Sequence, residues 1–366
     1  MAHLPTTDRL LLGPGPSPVS AHVMAALTAA PRSHLDPDLM AILDAIRGSL
    51  GRLFRAEPAA TTLAVSGTGT SGLEAVVANL AEPGRRALVV VSGYFGDRFA
   101  QLLARYGCEV SRLDVEWGRA VDPDAVRQAL RARRADLVAV VHAETSTGVR
   151  NPVADLAPIA RDQDALLLVD AVTSLGAMPL EMAAWGIDAC FSCSQKGLGA
   201  PSGLAPVAFS ERALGRRVVC RSFYLDLGLL EDYWVRRKYH HTISAPLVYA
   251  LSAALQEVEA EGLPARWQRH EHTHLTLVDR LAEQRLSLFP APADRLWSLN
   301  TVRVPEGVNE ATVRRRLLEE HAIEIGAGLG PLAGRIWRVG LMGSGSTVAN
   351  VDRLMTALSA VLGSAS

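Results

Sequence analysis

Cysteine is scarce in this chain: four in 366 residues, at positions 108, 190, 193 and 220. That is too few and too scattered for a disulfide framework, and it fits a reducing compartment. Cys190 and Cys193 do form C-x-x-C, but no second pair or nearby histidine completes a zinc site. The intervening Phe-Ser reads as strand, so both thiols are expected in the core and no metal is expected. An excess of charge of one sign is also missing. Lys and Arg total 37 against 38 for Asp and Glu, a net charge of −1. Without a long basic or acidic run, nothing supplies the electrostatic footprint of nucleic-acid or anionic-lipid binding. Long apolar runs are absent too. No segment approaches the roughly 20 residues that span a bilayer, and the opening "MAHLPTTDRLLLGPGP" has only a short apolar stretch before a Gly-Pro turn. A cytoplasmic protein with no membrane partner is the expectation. There is no internal repeat and no low-complexity tract.

What is present is an ordinary globular composition, 49% apolar and 20% charged, on a chain long enough for a sizeable core and two domains. From residue 61 to about 210, short aliphatic or β-branched runs alternate with helical patterns, as in a parallel sheet wrapped by helices. The runs are "TTLAVS", "RALVVVS", "CEVSRLDV", "DLVAVVHA", "ALLLVDA", "DACFSCS" and "APVAFS". Several are apolar nearly throughout, as strands covered on both faces are. The expected fold class is α/β: a large domain over 21–254 with a mostly parallel, seven-stranded sheet, and a smaller α+β domain over 255–366. The first 20 residues form an arm expected to pack with the small domain.

In an open parallel sheet, ligands bind at the carboxyl ends of the strands. The residues just past the apolar runs are Ser66 to Thr70, His142 to Gly148, Asp170, and Gln195 with Lys196, and they are expected to converge on one crevice. "GTGTSG" (67–72) matches G-x-G-x-x-G, but a dinucleotide site wants an acid at the end of the following strand, which here closes Val91-Ser92-Gly93. What survives is an anion site at a helix N-terminus, or simply a tight strand-to-helix turn. Asp170, closing "LLLVD", needs a cation or several donors at that depth. Nearby strand ends offer a metal only His142 and Glu144, so a cationic heterocycle nitrogen fits better; capping a following helix is the plain alternative. Lys196 in a partly desolvated site has a lowered pKa and can form a Schiff base, unless it merely extends past the sheet edge. An aldehyde, a phosphate and a protonatable ring nitrogen occur together in pyridoxal phosphate.

The chain resembles the class V aminotransferases of pyridoxal-phosphate fold type I, in particular the alanine–glyoxylate and serine–pyruvate group. The resemblance runs nearly end to end, through "LLGPGPSPVS", "SGTGTSGLEA", "HAETSTGV", "LLLVDAVTSLG", "GIDACFSCSQKGL", "SFYLDL", "YHHTISAPLVYAL", "IEIGAGLGPLAGRIWRVGLMG" and "NVDRL". It implies that Lys196 holds the aldehyde as a Schiff base and moves the proton, and that Asp170 pairs with the ring nitrogen. Thr145 lies near the ring oxygen, with Val172 and Phe95 on the two ring faces. Thr68, Gly69, Thr70 and Gln195 take the phosphate, joined by Tyr239 and Thr242 from the partner subunit of a homodimer with shared sites. Arg338 binds the substrate carboxylate, a task for its two-pronged donor geometry. Taken alone, "YHHT" reads equally as a polar loop and Arg338 as a surface strand residue.

The implied reaction moves an amino group from a small L-amino acid, alanine or serine, to glyoxylate or pyruvate. The departures are Phe95 where the family often has tryptophan, Thr70 where close relatives have histidine, and "GSGST" for "GCNAT". They leave open a specialised donor such as ureidoglycine or a biosynthetic intermediate. A cysteine desulfurase would need a late cysteine, and none follows Cys220. A nicotinamide-dependent dehydrogenase would leave Lys196, Asp170 and Arg338 without a role.

Overall fold

In a computed structural model describing residues 8–363, the seven apolar runs form one sheet; residues 1–7 of the expected arm lie outside the described residues. In chain order the strands are Thr61–Gly67 (β1), Arg86–Val91 (β2), Glu109–Asp114 (β3), Leu137–Val141 (β4), Leu166–Asp170 (β5), Ala189–Phe191 (β6) and Gly203–Phe209 (β7). They lie in the order β1-β7-β6-β5-β4-β2-β3. Every neighbouring pair is parallel except those made by β7, which runs against β1 and β6. The central strands β4 and β5 are buried at every residue, and their register sets Val141 opposite Asp170. Edge strand β3 alternates instead, with Glu109 and Asp114 exposed, which discourages edge-to-edge pairing.

The helices cover both faces because their apolar residues recur at helical spacing. Helix Pro37–Phe54 buries Leu39, Leu43, Ile46, Leu50 and Leu53; Asp36 caps it with Pro37 at its first position, and Arg55 ends it in a left-handed conformation. Helix Gly69–Leu80 follows β1 directly. It packs so closely on the sheet that a Cβ at Gly72 would stand 3.1 Å from that of Ala205. Helix Ala245–Glu261 runs across residue 255, and its Val248, Leu251, Leu255 and Val258 pack in the large core.

A second core gathers Leu277, Leu281, Leu317, Trp337, Val351, Leu354 and Leu358. It lies between helices Leu263–Glu283, Glu310–His321 and Val348–Gly363 and a three-stranded antiparallel sheet in which Ile336–Gly340 is central. The arm joins this unit: Leu10–Leu11 pairs with Ile323–Glu324, and Leu12 is part of the second core. Beyond it the chain crosses back, with Ser17 N–H donating to the Gln195 carbonyl at 2.9 Å. The segment Gly13–Ser17 thus bridges the small unit and the loop carrying Lys196. Among the described residues, no helix is long and apolar enough to cross a membrane.

Candidate active site

The carboxyl ends of β1, β4, β5 and β6 open on one cavity. Its wall includes Thr68, Gly69 and Thr70 after β1, Thr145 after β4, Asp170 and Val172 from the end of β5, and Gln195 and Lys196 after β6. Phe95, from helix Tyr94–Arg105, completes the expected set in that wall. Arg338 stands beside the cavity rather than in its lining. Its Nε donates to the Ala327 carbonyl at 2.6 Å and one Nη to the carbonyl of Thr145 at 3.5 Å. Tyr239 and Thr242 are elsewhere, on the surface of the same chain.

Lys196 is held by neighbouring loops. Its Nζ donates to the Pro14 carbonyl, its own carbonyl accepts from Ser17 Oγ at 2.7 Å, and the Gly199 N–H closes the turn after it at 3.0 Å. Gly15 packs directly on the side chain: at φ +117° a Cβ there would lie 2.5 Å from Lys196 Cε. Gly197 is needed for a different close approach, since its Cβ would come within 2.3 Å of the Leu175 carbonyl. The small residue after the lysine therefore lets two backbones meet. Buried Arg266 fastens the same turn, donating to the carbonyls of Gly176 at 3.0 Å and Gly197 at 2.8 Å.

Burial lowers the Lys196 pKa from the usual lysine range, with the Arg338 charge adding to the effect and Cys193 and Asp170 opposing it. Asp170 moves the other way, pushed up to about 7 by burial and by the Glu144 charge, against the Val172 N–H that it accepts at 2.8 Å. That bond closes a local turn and not a helix, so one carboxylate oxygen is engaged locally, and the Lys196 and Arg98 charges offset the burial only in part. Burial also draws Arg338 down to about 10, with the Glu144 charge opposing; it remains a cation at neutral pH.

Neighbouring side chains hold this set in place. Glu144 is fully buried and accepts from Ser146 Oγ at 2.6 Å, Ser146 N at 3.1 Å and Gly96 N at 3.1 Å, tying the loop after β4 to the start of helix Tyr94–Arg105. Thr145 shares a 2.6 Å hydroxyl contact with Thr173. Cys193 lines the cavity, but burial pushes its thiol up to about 12, so it packs as a neutral group. Arg98 also lines the cavity, next to Thr70. A spacing of three from Phe95 on one helix was the available sequence signal for it. Lysine is a further signal, because Lys196 and Lys238 are the two lysines of the whole chain.

The cavity can hold a flat, anionic, nitrogen-bearing ligand. Thr68 occupies the N-cap of helix Gly69–Leu80 without a side-chain capping bond; Ser71 and Gly72 N–H donate to its carbonyl, which leaves the N–H groups of Gly69 and Thr70 for an anion. The Gln195 amide oxygen in the wall is buried with no hydrogen-bond partner among the described residues. Phe95 and Val172 supply apolar surface, and Lys196 supplies an amine whose pKa burial lowers.

The chain is similar to known proteins over nearly its whole length. The family model described as Aminotransferase class-V matches residues 19–353. A solved structure of an alanine–glyoxylate aminotransferase from Nostoc sp. superposes with a TM-score of 0.96 at 45% identity, covering 99% of this chain and 97% of that one. A ureidoglycine–glyoxylate aminotransferase from Bacillus subtilis does so at 0.96 and 34%, covering 99% and 95%. The alanine–glyoxylate aminotransferase of Drosophila melanogaster is 35% identical over 361 residues, 96% of this chain and 91% of that protein.

Proposed function

The chain belongs to the class V aminotransferases, with the mixed α/β architecture of fold type I, and on that premise we propose that it moves an amino group from alanine or serine to glyoxylate or pyruvate. The observation that carries this is the meeting of the Lys196 amine and the Asp170 carboxylate in one cavity, with the Arg338 cation beside it.

The donor set fits pyridoxal phosphate. Thr68, Gly69, Thr70 and Gln195 would hold the phosphate, Phe95 and Val172 the ring faces, Thr145 the ring oxygen, Asp170 the ring nitrogen and Lys196 the aldehyde. When bound, the cofactor supplies a carbon that exchanges amines and a ring that takes up the electron pair left when the substrate Cα–H bond breaks. Lys196 does the proton work. Burial shifts the balance toward its neutral amine, the form in which Nζ can attack a carbonyl carbon and accept the Cα proton. Asp170 supplies charge. A cationic nitrogen in front of it would hold the carboxylate ionised and be held protonated in return, relieving the burial that now raises its pKa. Arg338, anchored through its bond to the Ala327 carbonyl, keeps other donors for a substrate carboxylate. Pro14 and Gly15 pack against the lysine and orient its amine.

A homodimer is part of the proposal. Tyr239 is 62% exposed and Phe223 71%, and these neighbouring aromatics are the kind of surface that a second copy covers. Tyr239 and Thr242 would then reach the partner's phosphate site. Four free cysteines support a reducing, cytoplasmic setting. A ureidoglycine-type donor is the second reading, favoured by the likeness to the Bacillus subtilis aminotransferase.

Half-reaction spectra of the cofactor-loaded enzyme test the choice, with L-alanine, L-serine and ureidoglycine as donors and glyoxylate, pyruvate and 2-oxoglutarate as acceptors. The expected outcome is rapid conversion by alanine or serine and reversal by glyoxylate or pyruvate. A strong preference for a dicarboxylic pair would overturn it.

A further inference from the structure

Arg98 is the charged group of the cavity wall that no part of the proposal above uses. It sits one turn after Phe95 on helix Tyr94–Arg105. Its guanidinium lies over two rings, 5.0 Å from the centroid of Phe95 and 5.3 Å from that of Tyr94. One Nη donates to Thr70 Oγ1 at 3.2 Å. Among the described residues it has no carboxylate within ion-pairing distance, unlike its helix neighbour Asp97, which is paired with Arg112. Stacking fixes the plane of the guanidinium, and the Thr70 bond aims it at the uncapped start of helix Gly69–Leu80. A cation without an acid, a helix N-terminus without a cap and the hydroxyls of Thr68 and Thr70 meet at one end of the cavity.

We infer that Arg98 is an anion anchor for the phosphate monoester of the cofactor, acting with the Thr68–Thr70 turn. The inference rests on the assignment of pyridoxal phosphate made above. It follows from chemistry: a phosphate dianion at a helix start is met by N–H dipoles and hydroxyls, none of which carries a full positive charge. Gln195 is neutral, and Lys196 and Arg338 are committed to the aldehyde and the substrate carboxylate. Arg98 supplies the missing charge, with the planar fork of donors that phosphate oxygens accept. Its bond to Thr70 also gives the threonine, which stands where close relatives carry histidine, a part in the site: the hydroxyl orients the cation.

The test compares the full chain, freed of cofactor by dialysis, as wild type, Arg98→Gln and Arg98→Lys. Each is titrated with pyridoxal phosphate and with pyridoxal, which has the same ring and aldehyde but no phosphate; binding is read from quenching of protein fluorescence. Melting of the cofactor-free proteins establishes that the variants are folded. The expected result is that Arg98→Gln binds pyridoxal phosphate about tenfold or more weakly, the loss of one charge-assisted hydrogen bond, while pyridoxal binding is unchanged. Arg98→Lys recovers part of the difference, and inorganic phosphate competes with pyridoxal phosphate less well in the Gln variant than in wild type. An Arg98→Gln protein with the wild-type preference for pyridoxal phosphate over pyridoxal overturns the inference. So does equal weakening of both, which would mean that the side chain only packs the ring, and so does an effect confined to the KM of a dicarboxylic oxo acid. Wild-type protein that binds neither compound overturns the cofactor assignment itself and the inference with it.

Discussion

Lys196 and Lys238 are chemically the same side chain in opposite surroundings. Lys238 is 67% exposed beside Asp232, whereas Lys196 is enclosed by Pro14, Gly15 and the sheet ends, and burial lowers the pKa of the enclosed amine. Asp170 gives the sharpest consequence at this scale. Its pKa is about 7 in the fold against an ordinary 3.8, so the folded, cofactor-free protein binds the proton more tightly than the unfolded chain does. The stabilising contribution is fully present below about 3.8 and is lost as pH rises through 7. Asp170→Asn keeps the shape without the charge. The cofactor-free variant is expected to melt above wild type at pH 8, by on the order of a few kcal/mol, with the gap narrowing toward pH 4, while transamination falls roughly a hundredfold or more. Melting curves across that pH range decide it; a variant less stable than wild type at pH 8 would show that the carboxylate is already compensated within the chain. Both residues were legible in the sequence, Asp170 because an acid closing an apolar strand announces itself and Lys196 because a lone lysine stands just past one. Arg98 was not, since its partner Thr70 lies on another element and meets it only in the folded chain; Glu144 showed as a strand-end acid, but its tie to Gly96 did not, for the same reason.

Among the elements, the segment Gly13–Ser17 carries more of the site than its length suggests. It is bonded at one end to the small unit, where Gly340 N–H donates to the Leu12 carbonyl at 2.8 Å, and at the other to the Gln195 carbonyl. Any movement of the small unit that carries Arg338 is therefore felt at the lysine. Gly15 is the sensitive point, and Gly15→Ala is expected to impose backbone strain of about 1–3 kcal/mol and to displace the end of the Lys196 side chain. The expected signature is a fall in kcat larger than the change in KM, together with a lowered melting temperature. Unchanged kcat would mean that the lysine tolerates the intrusion. The sequence showed this segment as a motif, "GPGP", but its role depends on a contact across about 180 residues, which no local pattern encodes. The strand-to-helix turn at Gly67–Thr70 was easier to read, because strand, turn and helix are consecutive.

On the scale of the molecule, the seven-stranded sheet was legible because strands covered on both faces must be apolar throughout, and each candidate run became a strand. The reversal of β7 was not marked by any local pattern, since an apolar run does not reveal its direction. Tyr239 and Thr242 belong to this scale too, because they lie outside the cavity of their own chain. Mixing a Lys196→Ala protein with a Tyr239→Ala/Thr242→Ala protein, after dissociation and reassociation, is expected to yield more activity than the two give separately. The hybrid unites an intact lysine with the partner's intact Tyr239 and Thr242; no gain on mixing would confine each site to one subunit. The central claim, that Lys196 binds the cofactor aldehyde covalently, is open to one direct measurement. The enzyme with pyridoxal phosphate is reduced with borohydride, digested, and its two lysine-bearing segments are weighed by mass spectrometry. The account predicts the reduced cofactor on the peptide containing Lys196, none on that containing Lys238, and none in Lys196→Ala. An adduct on Lys238 alone, or one that survives in Lys196→Ala with transamination intact, would contradict it.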